Sequence, residues 1–266
     1  MPFKRVHYRA IPSSLYHYTS GIAAHSIMKG GHKSHEDICF WLKNAKEKND
    51  EAELKLGTIL TERLRLHMQQ HNRPSLFEEV SIDPELVFIN SFTEEEQVSE
   101  YMLQEYGNFR LEFDFRMCHY KHDIYECTYF KEEDIEELTQ CYCATFERDW
   151  PLISGEKKDI HALTDYLLEE MSAIRSIPLL KHLEGWEQES EWRHVLHKQS
   201  LDDRVFSFAD GSLRMKVYYP SDSLVSVTCI TSQSLKHRDL PSYYKIKDWV
   251  KRCGWKTRVQ IHFTDV

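Results

Sequence analysis

Hydrophobic and polar positions change period several times along the chain. Residues 15–18 form a short aromatic-apolar run of strand type. Ser20 follows as an N-cap residue, then a short helix over 22–28 closed by Gly30-Gly31. The run Ile38-Cys39-Phe40-Trp41-Leu42 predicts a strand. After it, Asn49-Asp50 would cap a long helix whose apolar positions Leu56, Ile59, Leu60 and Leu64 have helical spacing. Residues 86–92 predict a buried strand and 94–106 a polar helix. Phe109, Leu111, Phe113 and Phe115 alternate with polar residues, the signature of a half-buried strand, and 124–130 reads as another.

From 131 to 183 the period becomes helical, with one stripe at Ile135, Leu138 and Tyr142 and a second at Leu163, Tyr166, Leu167 and Met171. Strand patterns return at 192–196, 204–208, 215–219 and 224–230. A last helix carries Ile246, Trp249, Val250 and Cys253, and 257–263 closes as a strand. Strands at both ends around a helical middle predict an α+β fold. Its mixed or antiparallel β-sheet core joins distant segments in a single domain over 1–266, with a mostly helical insertion at 131–185.

Composition narrows the function classes. The 266 residues are 41% hydrophobic and 12% aromatic, enough for a sizeable core. The formal net charge of -9 disfavours a general nucleic-acid or anionic-membrane binder, which needs clustered Lys and Arg. Seven cysteines without a C-x-x-C predict reduced thiols, and no apolar run approaches transmembrane length. A cytoplasmic protein that does not engage a membrane is expected.

Four places could carry chemistry. His17 stands between a strand and a helix in Leu15-Tyr16-His17-Tyr18-Thr19-Ser20. Its imidazole could hydrogen-bond a ligand, with Tyr16 or Tyr18 as a stacking face, or it could be a buried histidine satisfied by backbone. Asn49-Asp50-Glu51-Ala52-Glu53 reads as a capped, acidic first helical turn or as acids that meet a ligand. Asn90-Ser91-Phe92-Thr93 ends a strand; Thr93 suits a cap of the following helix and Ser91 is open to other roles.

The fourth place is the densest. Trp186-Glu187-Gln188-Glu189-Ser190-Glu191-Trp192-Arg193 sets three carboxylates between two tryptophans, with an arginine directly after the second. In an extended backbone Glu189, Glu191 and Arg193 share one face. A carboxylate held by that arginine stays ionised and could stabilise a developing cation. The pair could equally be a structural clamp of the sheet. His67 and His71 lie one helical turn apart, but no third ligand is evident and their face reads as solvated. The pairs His119 with His122 and His194 with His197 add nothing stronger, so no metal site is expected. G-x-S-x-G, H-E-x-x-H, P-loop and G-x-G-x-x-G motifs are all missing from the sequence.

The order of these motifs resembles a family. Leu15-Tyr16-His17-Tyr18-Thr19, Asn49-Asp50-x-x-Glu53, Ser91-Phe92-Thr93-Glu94, Tyr106-Gly107 before the Phe109 strand, and Glu189-Ser190-Glu191-Trp192-Arg193 together resemble the mostly bacterial domain-of-unknown-function family 2971, over roughly 14–235. More distantly, the Tyr-His-x-Thr strand and its short Gly-ended helix look like the start of ADP-ribosyltransferase domains. That second resemblance implies a split sheet, NAD as substrate, and transfer of ADP-ribose to a protein, nucleic acid or small molecule, as in a toxin or phage-defence effector. It implies that Glu191 is catalytic and Glu189 orients the acceptor. His17, Tyr18, Thr19, Ser91, Trp192 and Arg193 would surround the NAD, with His17 at the adenosine-side ribose. Two other readings stand beside it. One is a non-enzymatic interaction or sensor domain with a structural Glu–Arg network. The other is a metal-dependent nuclease built on Asp50, Glu53 and Glu191.

Overall fold

The computed structural model describes residues 9–30, 37–47, 54–73, 86–98, 100–116, 118–154, 161, 163–164, 166–167, 173–174, 177–183, 189–197, 204–232 and 236–264. They form a mixed α+β structure with a mixed-sheet core and, among the described residues, five α-helices. The chain divides into two compact units. One gathers 9–44, 88–125 and 189–266; the other gathers 1–8, 45–87 and 126–188. The first helix of the segment 131–185 packs on the helix after residue 54.

In the larger unit the strands are β1 (Leu15–Thr19), β2 (Asp37–Asn44), β3 (Val87–Thr93), β4 (Phe109–Phe113), β5 (Ile124–Glu126), β8 (Glu191–His197), β9 (Val205–Ser207), β10 (Leu213–Pro220), β11 (Leu224–Thr231) and β12 (Arg258–Phe263). Between β5 and β8 the chain forms the other unit's β6 (Thr128–Phe130) and β7 (Leu180–His182). The sheet order is β12-β11-β4-β1-β3-β2-β10-β9, and β8 pairs with β3 and β5. Pairing along the main path is antiparallel except β11 with β12, which is parallel. The pairing of β1 with β4 runs through all five residues of β1. Among the described residues β1 meets β3 at one pair, Tyr16 with Thr93.

Alternation along these strands fills one core. Leu15, Phe40, Phe88, Phe92, Leu111, Phe113, Trp192, Met215 and Tyr219 are all buried in it. Helices α1 (Gly21–Lys29) and α5 (Lys236–Cys253) close it with Ala24, Ile27 and Met28 from the first and Tyr243, Ile246, Trp249 and Val250 from the second. The α1 start follows the sequence reading: Ser20 Oγ accepts from the Ala23 N–H at 3.2 Å. Helix α3 (Glu100–Tyr106) serves a second, smaller cluster of Tyr16, Tyr18, Met102 and Ile230. Adjacent residues of β1 point to opposite sides of a strand, so Leu15 and His17 serve the main core and Tyr16 and Tyr18 the α3 side.

The other unit pairs α2 (Lys55–Gln70) with α4 (Asp134–Ser154). Leu56, Leu60, Leu64 and Met68 recur every four residues on α2, and Ile135, Leu138, Tyr142 and Phe146 line the buried side of α4. Ion pairs Lys55–Glu132 at 2.7 Å and Arg63–Glu136 at 2.8 Å follow the same direction along both helices. The α2 N-cap position is Leu54, which makes no side-chain cap; Asn49 and Asp50, expected to cap this helix, lie outside the described residues. In the stripe expected at 163–171, Tyr166 is buried while Leu163 and Leu167 are each 38% exposed, and Met171 lies outside the described residues. Among the described residues no helix is long and apolar enough to cross a membrane.

Candidate functional site

The polar groups of the larger unit concentrate where β8 begins. Glu191 and Arg193 are both buried, and their spacing of two on a strand sets their side chains on one face. Arg193 donates from Nε to Glu191 Oε1 at 2.9 Å and from Nη2 to Oε2 at 3.1 Å, a bidentate pair with side-chain exposures of 0% and 5%. Trp192 and His194, one step out of phase, belong with the main core. Trp192 lies in its cluster, and His194 Nδ1 is hydrogen-bonded to the Tyr219 hydroxyl inside it.

Glu189 departs from the expected row. Ser190 has φ 42°, a left-handed conformation that costs a non-glycine residue about 1–2 kcal/mol. That turn ends the alternation before β8 starts. The Glu189 carboxylate, itself buried, accepts from the Tyr106 hydroxyl at 2.8 Å and the Tyr101 hydroxyl at 3.4 Å. Both phenols have their pKa raised, first by desolvation and then by the Glu189 charge; the shift is large at Tyr106, where Glu191 adds to it. The phenols are therefore firm donors, and Glu191 lies within electrostatic reach of the same group. Gly107, with φ +114°, places Tyr106: a Cβ there would stand 2.7 Å from the carbonyl carbon and oxygen of Thr19.

Residues before this cluster hold it in place. The Glu94 N–H donates to the Ser190 carbonyl at 3.2 Å, and Trp192 Nε1 donates to Glu94 Oε2 at 3.1 Å. Arg9 Nη1 reaches Glu94 Oε1 at 3.1 Å and its guanidinium lies 5.9 Å from the Trp192 ring. Because Glu94 to Glu96 are used in this way, the helix expected over 94–106 begins only at Glu100. Thr93 caps a tight turn, accepting from the Glu95 N–H, rather than a helix.

His17 is placed elsewhere. Its Nδ1 donates to the Ser91 carbonyl at 2.9 Å, and its ring packs against Phe40 at 5.1 Å and Phe92 at 5.8 Å, two residues of the main core. The imidazole thus points to the sheet face opposite Glu191 and Arg193, while Ser91 contributes its backbone to the contact. Tyr18 is buried on the α3 side, and Thr19 is buried where β1 ends against Phe109. The structure brings together Glu189, Glu191 and Arg193 with Tyr101 and Tyr106, which sequence reasoning did not assign to this site. The Tyr106-Gly107 pair was the available signal. Asp50 and Glu53, on which the nuclease reading rests, lie outside the described residues, as does Trp186.

Burial lowers the pKa of His17 to about 4 and of His194 to about 3. Both lie below the unfolded value of about 6.5, so the unfolded chain takes up these protons first. Their contribution to stability is complete above that value and drains away as pH falls from about 6.5 towards 4. Each adds up to about 1.4 kcal/mol per pH unit to the slope in that window. Urea unfolding of the wild type and of His17→Asn, whose amide can still donate to the Ser91 carbonyl, should show the variant losing one proton's worth of that slope.

Comparison with family models, with curated proteins and with solved structures returned no match.

Proposed function

We propose that this protein is an NAD-dependent mono-ADP-ribosyltransferase whose reacting centre lies at the start of β8. In this reaction the bond from ribose C1′ to the nicotinamide nitrogen breaks and its electron pair leaves with nicotinamide. The ribose becomes oxocarbenium-like, and an acceptor nucleophile then forms the new bond to C1′. An ionised carboxylate at the ribose hydroxyl stabilises that cation. Glu191 fits the role: Arg193 holds its carboxylate from one side and fixes its plane through a bidentate contact. Glu189, gripped by two tyrosine hydroxyls, is the group to orient the acceptor, which is a protein, nucleic acid or small molecule.

The observation that carries the reading is this pair of buried carboxylates two positions apart, each with its own set of charge-assisted donors. The single residue pair joining β1 to β3 supports a split sheet of the ADP-ribosyltransferase kind. The motif order supports kinship with domain-of-unknown-function family 2971. In this reading His17 also anchors β1 to β3 through its bond to the Ser91 carbonyl. The test is release of nicotinamide from NAD by the purified chain. Glu191→Gln is expected to lower it on the order of 10²-fold or more, as loss of a transition-state electrostatic contact does. Glu189→Gln should spare nicotinamide release with water as acceptor and lower transfer to other acceptors.

A second reading has one observation in its favour. Arg193 occupies both oxygens of Glu191 with no exposed surface of its own, which also suits a purely structural clamp in an interaction or sensor domain. Under that reading the wild type neither binds nor turns over NAD.

A further inference from the structure

A second cluster of chemically useful side chains lies in the α2–α4 unit. His67 is in the last turn of α2 and His71 is its C-cap residue, so the two imidazoles stand one above the other with ring centroids 4.4 Å apart. From α4, Glu147 turns one carboxylate oxygen to both. Its Oε1 is 3.0 Å from His67 Nε2 and 3.9 Å from His71 Nε2. One ligand atom from each of the three lies within 4.8 Å of the other two.

The hydrogen bonds around these groups hold two of the three side chains in place. His71 Nδ1 faces the His67 backbone carbonyl at 2.8 Å; since that oxygen can only accept, Nδ1 carries the proton. Nε2 is therefore the ring nitrogen that His71 turns toward Glu147. The other oxygen of Glu147 is taken by Arg73 Nη2 at 2.6 Å, which fixes the carboxylate and holds its pKa below the usual range. A ring N–H on a backbone carbonyl and an anchored carboxylate are the supports that ligating His and Glu side chains commonly have.

Size agrees with chemistry. In a tetrahedral site with bonds of about 2 Å, ligand atoms lie roughly 3.3 Å apart. The spacings of 3.0 and 3.9 Å bracket that value and the third is within 4.8 Å; His71, at the exposed helix end, is the ligand that would move to close the site. Two imidazole nitrogens and one carboxylate oxygen suit Zn2+ and its neighbours Co2+, Ni2+ and Cu2+ better than Mg2+ or Ca2+. Three protein ligands leave a coordination position open. His67 also lines a hollow of about 500 Å³, together with Arg63, Leu66, Gln70, Gln140 and Cys143.

We propose that His67, His71 and Glu147 form a transition-metal site of the zinc class, with an open position for water or a small ligand. The site is independent of NAD chemistry at β8. Arg73 orients Glu147 from behind and, as a nearby positive charge, moderates the affinity.

The test is a titration of the metal-free full chain with Zn2+ by calorimetry and with Co2+ by visible absorption. Expected are one bound ion lost in His71→Gln, tetrahedral d–d bands for Co2+ that Zn2+ abolishes, and a melting temperature that rises with Zn2+ in the wild type alone. His71→Gln should fold as the wild type does, because His71 is 44% exposed at its side chain and outside the helical core; circular dichroism checks this. Glu147→Gln, which keeps the shape but weakens the ligand, should bind at least tenfold less tightly. Unchanged binding in His71→Gln, no binding by the wild type, or a thiolate-to-cobalt charge-transfer band, which would place Cys143 in the ligand set, overturns the proposal.

Discussion

Replacing Arg193 with methionine is expected to destabilise the protein by about 3–5 kcal/mol, the range for removing one partner of a buried ion pair. The side chain is wholly enclosed and makes two hydrogen bonds to Glu191, which is itself almost fully buried. The methionine fills much of the same volume, so the loss comes mainly from the stranded Glu191 charge rather than from a cavity. The double replacement Glu191→Leu with Arg193→Met provides the control. Removing both charges removes the desolvation cost of each, and the double variant should recover most of the lost stability. Denaturant unfolding of the two single variants and the double variant gives the coupling energy. A double variant as unstable as Arg193→Met would place the effect in packing instead of charge.

Gly107→Ala is expected to have the second large effect, roughly 2–5 kcal/mol from backbone strain and overpacking together. A φ of +114° disfavours any side chain, and the added Cβ would lie 2.7 Å from Thr19 carbonyl atoms and 2.8 Å from the Ser20 N. Those neighbours are backbone at the junction of β1 and α1 and cannot swing aside as a side chain would. The shift would also carry Tyr106, the adjacent residue, off Glu189. Thermal unfolding checks the stability. The Glu189 contact is checked by comparison with Tyr106→Phe, which removes the hydroxyl without straining the turn and should cost about 1–3 kcal/mol.

Most strands were legible because alternation survives where one face is buried. The Phe109, Leu111 and Phe113 row is the clearest instance, with all three side chains in the core. Helix α1 was legible because Ser20 supplies a local cap, and α5 because Ile246, Trp249 and Val250 keep helical spacing. Local rules failed where a distant partner takes over. The acids after Thr93 read as the first turn of a helix, yet the Glu94 N–H goes to Ser190 and Arg110 donates to the Glu96 carbonyl. The strand expected over 124–130 is interrupted at Cys127, giving β5 and β6.

The same divide runs through the candidate site. Glu191 and Arg193 sharing a face followed from their spacing, whereas Glu189 leaves the row through the positive φ of Ser190, which no alternation pattern encodes. His17 was legible as a residue of special position, but which face it takes depends on the register of β1 with its neighbours. Glu147 lies eighty residues from His67, so a third metal ligand was invisible until α2 and α4 were packed together.

The most direct measurement is nicotinamide release from NAD by the purified wild-type chain beside Glu191→Gln, with folding of both verified by circular dichroism. The account predicts release by the wild type and a fall on the order of 10²-fold or more in the variant, set by the lost carboxylate charge. A folded wild-type protein that neither binds NAD nor releases nicotinamide, or a variant that releases it at the wild-type rate, would contradict it.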